Sequence, residues 1–348
     1  MQIISLERAL ELGLDTVHVF KHGGFGDAIM LGAASREVVR QTGKPVLIGV
    51  KPVNYELLNG IDDGLSAPIY ILDGYYPLII NTKNVRRMAQ MGMRVNYFRQ
   101  THTGPILPEI AAAMGLSGRA DLSLYMQIPD GDFDVPADKP YITIMAGGKA
   151  RKAVPNRILQ SVVDKYKNKY NFVQVGMYED PLLSDVIDMR GRLSLGRGVP
   201  AVIGKSVLFV GAEGTLMHVA AATQTRSVIG DGWMGKITQN AGAIHIIPHG
   251  LLNDNKHDSP GDMETLDAAE FLNAVAAQLK ESDRPFPKNI IDLTESRAAM
   301  AHVNYDSIAV AYITLALKFI RYLFRGAKYY PWAQIAQIKS KKKYGISI

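Results

Sequence analysis

Apolar positions in the first half of the chain alternate between the spacing of strands and the spacing of helices. Residues 16–20 (TVHVF) and 45–50 (PVLIGV) are short apolar runs typical of buried strands. Between them, residues 28–43 have helical spacing and end in a glycine, which is common just beyond a helix. The pattern predicts a βαβ unit, followed by a strand at 67–72 and a short helix at 105–116.

The alternation stops twice and then resumes. Residues 73–104 show no clear period, and residues 129–140 (PDGDFDVPADKP) combine Pro, Asp and Gly without apolar periodicity, which is typical of a linker. Beyond the linker, the pattern predicts strands at 141–147, 171–177, 206–211 and 226–232 and an apolar segment at 243–250. It predicts helices at 156–168, 200–205 and 215–224. A last helix is predicted from Leu266 to about Lys280, with Thr265 as its N-cap.

Two consecutive series of βα units predict an α/β protein with two doubly wound domains. We assign residues 1–128 to the first domain, 129–140 to the linker and 141–305 to the second domain, with a C-terminal helix and a basic aromatic tail at 306–348. In such a pair of domains, ligands are expected in the cleft between the facing carboxyl ends of the strands.

The amino-acid composition excludes several kinds of functional site. The 348 residues are 47% hydrophobic, enough to build two cores, and they include no cysteine, which excludes disulfides, thiolate nucleophiles and Cys-bound zinc. The apolar N-terminus contains Glu7 and Glu11, unlike a signal peptide, so we expect a cytoplasmic protein.

The net charge of +6 comes from the tail. Eight of the 39 basic side chains and no acidic ones lie beyond Asp306, which leaves 31 basic against 33 acidic residues elsewhere. This asymmetry favours an anionic membrane surface contacted by residues 318–343 and argues against a nucleic-acid partner. The apolar residues 308–324 are too short and too charged to span a bilayer. The alternative is a helix that packs on the body, followed by a solvated tail.

The first candidate site is the turn HGGFGDAIM at 22–30, directly after the first strand. It fails the GxGxxG dinucleotide fingerprint because Ile29 stands where the last glycine is required, which disfavours a nicotinamide enzyme. Gly24 and Gly26 open a helix that carries Asp27 in its first turn, where a carboxylate can face the cleft. The alternative is that Asp27 only stabilises the helix start.

The second candidate is AGGKARKAVP at 146–155, the equivalent turn of the second domain. Gly147 and Gly148 expose backbone N–H groups, and Lys149, Arg151 and Lys152 add positive charge. This combination suits a phosphate, although a solvated basic loop would have the same composition.

The third candidate is the strand-to-helix turn GAEGTLMHVAAA at 211–222. Backbone N–H groups of Gly214, Thr215 and Leu216 can point outward at the helix start, where an anion is favoured, and Glu213 precedes them. His218 lies on the first turns of that helix and is either a packed core residue or part of the cleft.

A fourth cluster lacks the usual spacing of metal ligands. Its members are His245, His249 and His257 with Asp254 and Asp258. Because it has neither helical i, i+4 spacing nor a defined ligand loop, we expect no metal site there.

Together these motifs resemble glycosyltransferase family 9, the bacterial ADP-heptose:lipopolysaccharide heptosyltransferases. The resemblance rests on the Gly-Asp turn, on KAVP at 152–155 and on residues 188–232, and is densest over 141–232. It implies the GT-B fold, two Rossmann-like domains facing across a cleft, and transfer of a sugar from a nucleotide donor with inversion and without a metal or cofactor.

The resemblance also implies roles for individual residues. Asp27 corresponds to the proposed catalytic base, and Lys152 to the lysine that assists the departing diphosphate, with Val154 in place of the usual tryptophan of that motif. The family's Asp-(Ser/Thr)-Gly-x-x-His motif becomes 213–218, where Glu213 replaces the aspartate expected to hold donor hydroxyls. The donor sugar and the acceptor, expected to be a cell-envelope or surface glycan, stay open.

Two other functions are compatible with the sequence. A nucleotide-sugar-binding protein could keep this fold without catalysing transfer, and a nucleotide-sugar epimerase shares the two-domain architecture. Asp27 and Lys152 favour a transferase over the first, and the second would need further acid–base residues facing the sugar.

Overall fold

The computed structural model describes residues 2–20, 24–73, 88, 90–98, 105–130, 135, 138–148, 153–232, 240–248 and 263–294. Lys149, Arg151 and Lys152, half of the predicted linker and the C-terminal region 306–348 lie outside these residues. Within the described part, no helix is both long enough and apolar enough to cross a membrane.

The first sheet has five parallel strands in the order β1-β4-β3-β2-β5. They are β1 Gln2–Ile4, β2 Thr16–Phe20, β3 Val46–Gly49, β4 Ile69–Leu72 and β5 Arg94–Phe98, with helices α1 Leu6–Glu11, α2 Phe25–Thr42 and α3 Ile106–Ala113 and a 3₁₀-helix at Pro52–Leu58. The predicted βαβ unit corresponds to β2, α2 and β3.

The second sheet has six parallel strands in the order β12-β11-β10-β7-β8-β9. They are β7 Tyr141–Ile144, β8 Asn171–Gln174, β9 Ile187–Asp188, β10 Leu208–Ala212, β11 Ser227–Gly230 and β12 Ala243–Ile246. The helices of this part are α4 Asn156–Tyr166, α5 Gly198–Gly204, α6 Thr215–Ala222 and α7 Ala268–Lys280. This strand order is that of a doubly wound Rossmann-like domain.

A third, two-stranded antiparallel sheet pairs β6 Arg119–Asp121 with β13 Ile290–Asp292. It brings residues that follow α7 back to the segment that precedes the second sheet. The two Rossmann-like parts also share one hydrophobic cluster, because Ile29 and Leu31 of α2 belong to the same buried core as Met217 of α6.

The structure adds elements in two segments for which the sequence predicted none, and it corrects the predicted cap of α7. The segment without a clear period contains β5, and the N-terminus contributes β1 and α1. Helix α7 is capped by Asp267, whose Oδ1 accepts hydrogen bonds from the N–H groups of Ala269 (2.7 Å) and Glu270 (3.0 Å). The predicted cap, Thr265, ends a separate 3₁₀ turn instead, because the aspartate two residues later accepts those free N–H groups.

Candidate active site

The strand order of the second sheet reverses between β7 and β10, which are neighbours although three strand positions apart in sequence. Ligands of doubly wound domains bind outside the carboxyl ends of the strands at this switch point. The turn that follows β7 contains Gly147 and Gly148, and the turn that follows β10 contains Glu213 and Gly214. The fold therefore brings the second and third candidate turns to adjacent strand ends.

The turn after β10 leaves its helix start uncovered by a side chain. Glu213 is tied to the neighbouring strand by its N–H, which donates to the carbonyl of Gly230 at 3.1 Å. Gly214, the N-cap of α6, has φ +155°, a conformation that side-chain-bearing residues rarely adopt. A Cβ added there would meet no atom of the described residues within 4 Å. The start of α6 is therefore a position at which an anion can approach backbone N–H groups.

The carboxyl group of Asp180 lies against the turn that follows β7. A Cβ added at Gly147 would collide with the carboxyl group of Asp180, whose Oδ2 accepts the N–H of Met177 at 2.8 Å. Gly147 is buried under this carboxyl group, whereas Gly148 is exposed. Because like charges repel, a phosphate at this turn fits beside Gly148 better than beside Gly147.

The first candidate turn forms the one half of a capping box that a glycine N-cap allows. The N–H of Gly24, the N-cap of α2, donates to Oδ2 of Asp27 at 2.9 Å. Asp27 is half-buried. This contact gives the carboxylate a fixed position at the start of α2, so the helix-stabilising role considered from the sequence is present. The hydrogen bond from Gly24 to Oδ2 is compatible with a second role for the carboxylate.

A lysine that the sequence analysis did not single out lies near this carboxylate. Lys51 follows β3, beside β2 in the sheet, and precedes the 3₁₀-helix. Burial lowers the pKa of the Lys51 amine, and the charge of Asp27 opposes that shift. The position could have been found from the sequence, because it is the carboxyl end of a predicted strand.

His218 connects the two halves of the site. A Cβ added at Gly26 of α2 would lie 2.5 Å from Cδ2 and 3.1 Å from Nε2 of His218, so the imidazole of α6 lies directly against the start of α2. Only 4% of His218 is exposed. Burial lowers the pKa of His218 to about 4, opposed by a hydrogen bond with Asn240 and reinforced by His245. His218 is therefore buried and packs between the domains, and its predicted role at the donor site stays a prediction.

A second buried histidine lies in the same region. Nδ1 of His245 is 2.9 Å from Oδ2 of Asp231, and the two side chains are 8% and 0% exposed. The sequence placed His245 in a candidate metal cluster whose other members lie outside the described residues. In the part of the chain that the structure covers, no three His, Asp or Glu side chains are arranged to hold a metal ion. Asp231 had not been singled out from the sequence.

The structure thus brings Gly24, Gly26 and Asp27 together with His218, and sets Glu213, Gly214, Thr215 and Leu216 at the start of α6 beside Gly147 and Gly148. Leu216 is itself buried, so only its backbone can serve a ligand. Lys149 and Lys152 lie outside the described residues, so their roles stay predictions.

The chain matches known proteins by its structure and not by its sequence. No protein-family model and no curated protein sequence matches the chain. A family 9 glycosyl transferase from Veillonella parvula aligns over 77% of this chain and 97% of its own, with a TM-score of 0.56 and 12% identity. The E. coli ADP-heptose lps heptosyltransferase II aligns over 77% and 99%, with a TM-score of 0.57 and 14% identity.

A third similar structure is the iron-containing dodecameric glycosyltransferase TibC from enterotoxigenic E. coli, with a TM-score of 0.56 and 12% identity over 77% of this chain and 76% of that one. At these identities the similarity concerns the fold. Together with the two parallel sheets described above, it shows that the chain has the GT-B fold, two Rossmann-like domains, found in the family 9 glycosyltransferases.

Proposed function

We propose that the protein is an inverting, metal-independent glycosyltransferase. It would transfer a sugar, heptose or a related one, from a nucleotide-diphosphate donor to a cell-envelope or surface glycan acceptor. The shared fold supports this proposal, and TibC, one of the similar structures, has been solved in complex with ADP-D-beta-D-heptose.

The observation that carries the proposal is the contact between Gly26 and His218. It brings the start of α2, with its fixed carboxylate, against α6, whose start lies at the switch point of the other sheet. An acid from one domain and an anion-binding helix start from the other are the two groups that a displacement at a sugar phosphate requires.

In the proposed reaction, Asp27 takes the proton of the acceptor hydroxyl as its oxygen attacks the anomeric carbon of the donor. The bond from that carbon to the phosphate oxygen breaks on the opposite face, and the nucleoside diphosphate leaves with the electron pair. A single displacement of this kind inverts the anomeric configuration.

The leaving diphosphate gains negative charge as the bond breaks. Backbone N–H groups at the start of α6 and the turn at Gly148 would stabilise that charge, because fixed donors cost no reorganisation in the transition state. Lys149 and Lys152 follow Gly148 in the chain, and we propose Lys152 as the cation that binds the diphosphate.

The direct test is a thermal-shift screen of the full chain against ADP-, UDP-, GDP- and dTDP-sugars. A donor present at 100 times its Kd would raise the apparent free energy of unfolding by about 2.7 kcal/mol. The donor that binds is then incubated with glycan acceptors, with and without EDTA, and the product anomer is assigned by NMR.

Each outcome of this test discriminates. Transfer that survives EDTA and inverts the anomeric carbon supports the proposal, whereas binding without transfer or hydrolysis favours a non-catalytic protein. Isomerisation of the donor without acceptor would indicate an epimerase. If none of the four donors binds, the proposal is wrong.

We further propose that residues 318–343 hold the enzyme on anionic lipid beside a lipid-linked acceptor. Each basic residue near such a surface contributes about 1 kcal/mol. Co-sedimentation with phosphatidylserine vesicles at low and high salt should therefore be stronger for the full chain than for a form that ends at Gly326. Equal binding by both forms would remove the tail from the proposal.

A further inference from the structure

The Asp231–His245 pair has no part in the reaction proposed above, yet it has the form of an oriented hydrogen-bonding group. Its two side chains are 2.9 Å apart and nearly inaccessible. Asp231 fixes one imidazole nitrogen, Nδ1, and therefore determines what the other nitrogen can do. When Nδ1 holds the ring proton and donates it to the carboxylate, Nε2 is a hydrogen-bond acceptor.

That acceptor is unused. Nε2 of His245 is buried and has no hydrogen-bond partner among the residues that the structure describes. Buried polar atoms are nearly always paired, because leaving one unpaired costs free energy. An unpaired nitrogen on a histidine that is itself held by a buried carboxylate suggests that its partner is a ligand.

The pair lies at the carboxyl edge of the second sheet, next to the third candidate turn. Ile229 is opposite His245 in the parallel register, and Asp231, two residues after Ile229, lies on the same face of the sheet as His245. The carbonyl of Gly230 accepts the N–H of Glu213, so Asp231 is adjacent to the turn that begins α6.

The pair is also close to the contact between the domains. His245 is near enough to His218 to act on it electrostatically, and His218 lies against Gly26. A group bound at His245 would therefore be next to the place where the proposed base and the proposed donor site meet.

We infer that His245, oriented by Asp231, accepts a hydrogen bond from a hydroxyl of the sugar that the enzyme transfers, and so helps to select the donor. The inference rests on the proposed transferase function. A hydroxyl fits because it can donate a hydrogen bond to Nε2 while Nδ1 donates the ring proton to Asp231. A metal fits less well, because zinc and similar ions take at least three protein ligands and the described residues offer no such cluster.

The test compares a nucleotide with its sugar conjugate. The candidate pairs are ADP with ADP-glucose, UDP with UDP-glucose, GDP with GDP-mannose and dTDP with dTDP-glucose. For the pair that binds the wild-type full chain, the dissociation constants of the nucleotide and of its conjugate are measured by calorimetry. We expect His245→Phe to weaken the sugar conjugate about tenfold and the free nucleotide less than twofold. Asp231→Asn should weaken the conjugate in the same selective way, by a smaller factor.

Two controls separate a loss of binding from a loss of folding. His245→Gln can present an amide oxygen near the position of Nε2, and we expect it to restore part of the affinity for the conjugate. His18→Phe, a change of the same kind in the first domain, should leave the ratio of the two dissociation constants unchanged. Ligand-free melting temperatures identify variants that are merely unfolded.

Three results would overturn the inference. Equal weakening of nucleotide and conjugate would place His245 elsewhere in the donor site, and unchanged binding of both would leave it a structural residue. Loss of conjugate binding in EDTA, restored by a divalent metal only when His245 is present, would make the pair a metal ligand. If the wild type binds none of the four conjugates, the proposed function fails together with the inference.

Discussion

The helices that meet between the two domains begin in opposite ways. At the start of α2, the acid of the turn is used locally, since Asp27 accepts the N–H of Gly24. At the start of α6, the N-cap is Gly214, which has no side chain and, among the described residues, no neighbour within 4 Å of an added Cβ. The carboxylate of the α2 turn accepts a hydrogen bond from the backbone of the same turn. The N-cap of α6 has no side chain that could accept such a bond.

This difference separates two chemical tasks that one turn could not perform. A carboxylate that must accept a proton would repel a diphosphate bound at the same helix start. In the proposed reaction, the acid on α2 and the diphosphate at the start of α6 would approach one sugar from different domains. The imidazole of His218 against Gly26 sets how closely the two starts approach.

The largest expected effect comes from removing the charge of the α2 turn. Asp27→Asn keeps an oxygen for the N–H of Gly24 but cannot take the acceptor proton, so we expect transfer to fall by about 10²- to 10⁴-fold with donor affinity nearly unchanged. Glu7→Gln, which removes an acid from the first turn of α1, is the matched control. Near-normal turnover of the Asp27→Asn variant in a steady-state assay would exclude this residue as the base.

Acid should destabilise both domains through one buried histidine each. Burial lowers the pKa of His18 to about 4, as it does for His218, and an Asn side-chain amide lies 3.0 Å and 3.3 Å from their respective Nδ1 atoms. Between pH 6.5, the ordinary histidine pKa, and pH 4 the unfolded chain binds more protons. The free energy of unfolding should therefore fall as the pH is lowered through this window, by about 3 kcal/mol per histidine.

Urea unfolding at pH 7 and pH 4.5 measures this dependence. His18→Gln and His218→Gln should each remove about half of it, and the double variant most of it. A wild-type pH dependence in both single variants would show that other groups cause the loss. If only the His218 variant responds, the effect belongs to the domain contact and not to burial as such.

Much of the fold was predictable because its strands and helices carry regular periods. The unit β2-α2-β3 and most strands of the second sheet appear in the apolar pattern, and Gly43 indeed ends α2 in a left-handed conformation, with φ +65°. Strand β5 was missed because Arg94–Phe98 alternates only weakly and is ordered by pairing with β2. Pairing of this kind is a long-range interaction that a local pattern does not contain.

The candidate site was predictable in its turns but not in its contacts. Glycines, acids and strand ends identify the starts of α2 and α6 in the sequence. That His218 would lie against Gly26, or Asp231 against His245, depends on how helices and strands distant in sequence pack together. Asp180 shows the same limit, because its carboxyl group covers Gly147 from a different strand end.

A smaller effect is expected from adding one carbon where the two helix starts touch. Gly26→Ala would favour α2 by up to about 1 kcal/mol if nothing opposed the new methyl group. The methyl group instead collides with the ring of His218, so we expect a net loss of about 1–3 kcal/mol in the free energy of unfolding.

The pair of substitutions shows whether the contact is the cause. When Gly26→Ala is combined with His218→Ala, the obstacle is gone, and the added methyl group should then be less harmful than it is beside the intact imidazole. A coupling energy near zero in this double-mutant cycle, measured by urea unfolding, would mean that α2 and α6 do not touch in solution.

The smallest expected effect comes from removing Lys152, the proposed cation for the donor diphosphate. We expect Lys152→Ala to weaken donor affinity and turnover each by about tenfold, because one positive charge near a diphosphate acts in both the ground state and the transition state. Lys149→Ala is the matched control, since the same charge is removed three residues earlier in the same turn. Calorimetry with the nucleoside diphosphate and steady-state kinetics measure the two effects separately. If Lys149→Ala is damaging and Lys152→Ala is silent, the diphosphate lies closer to Gly148 than proposed.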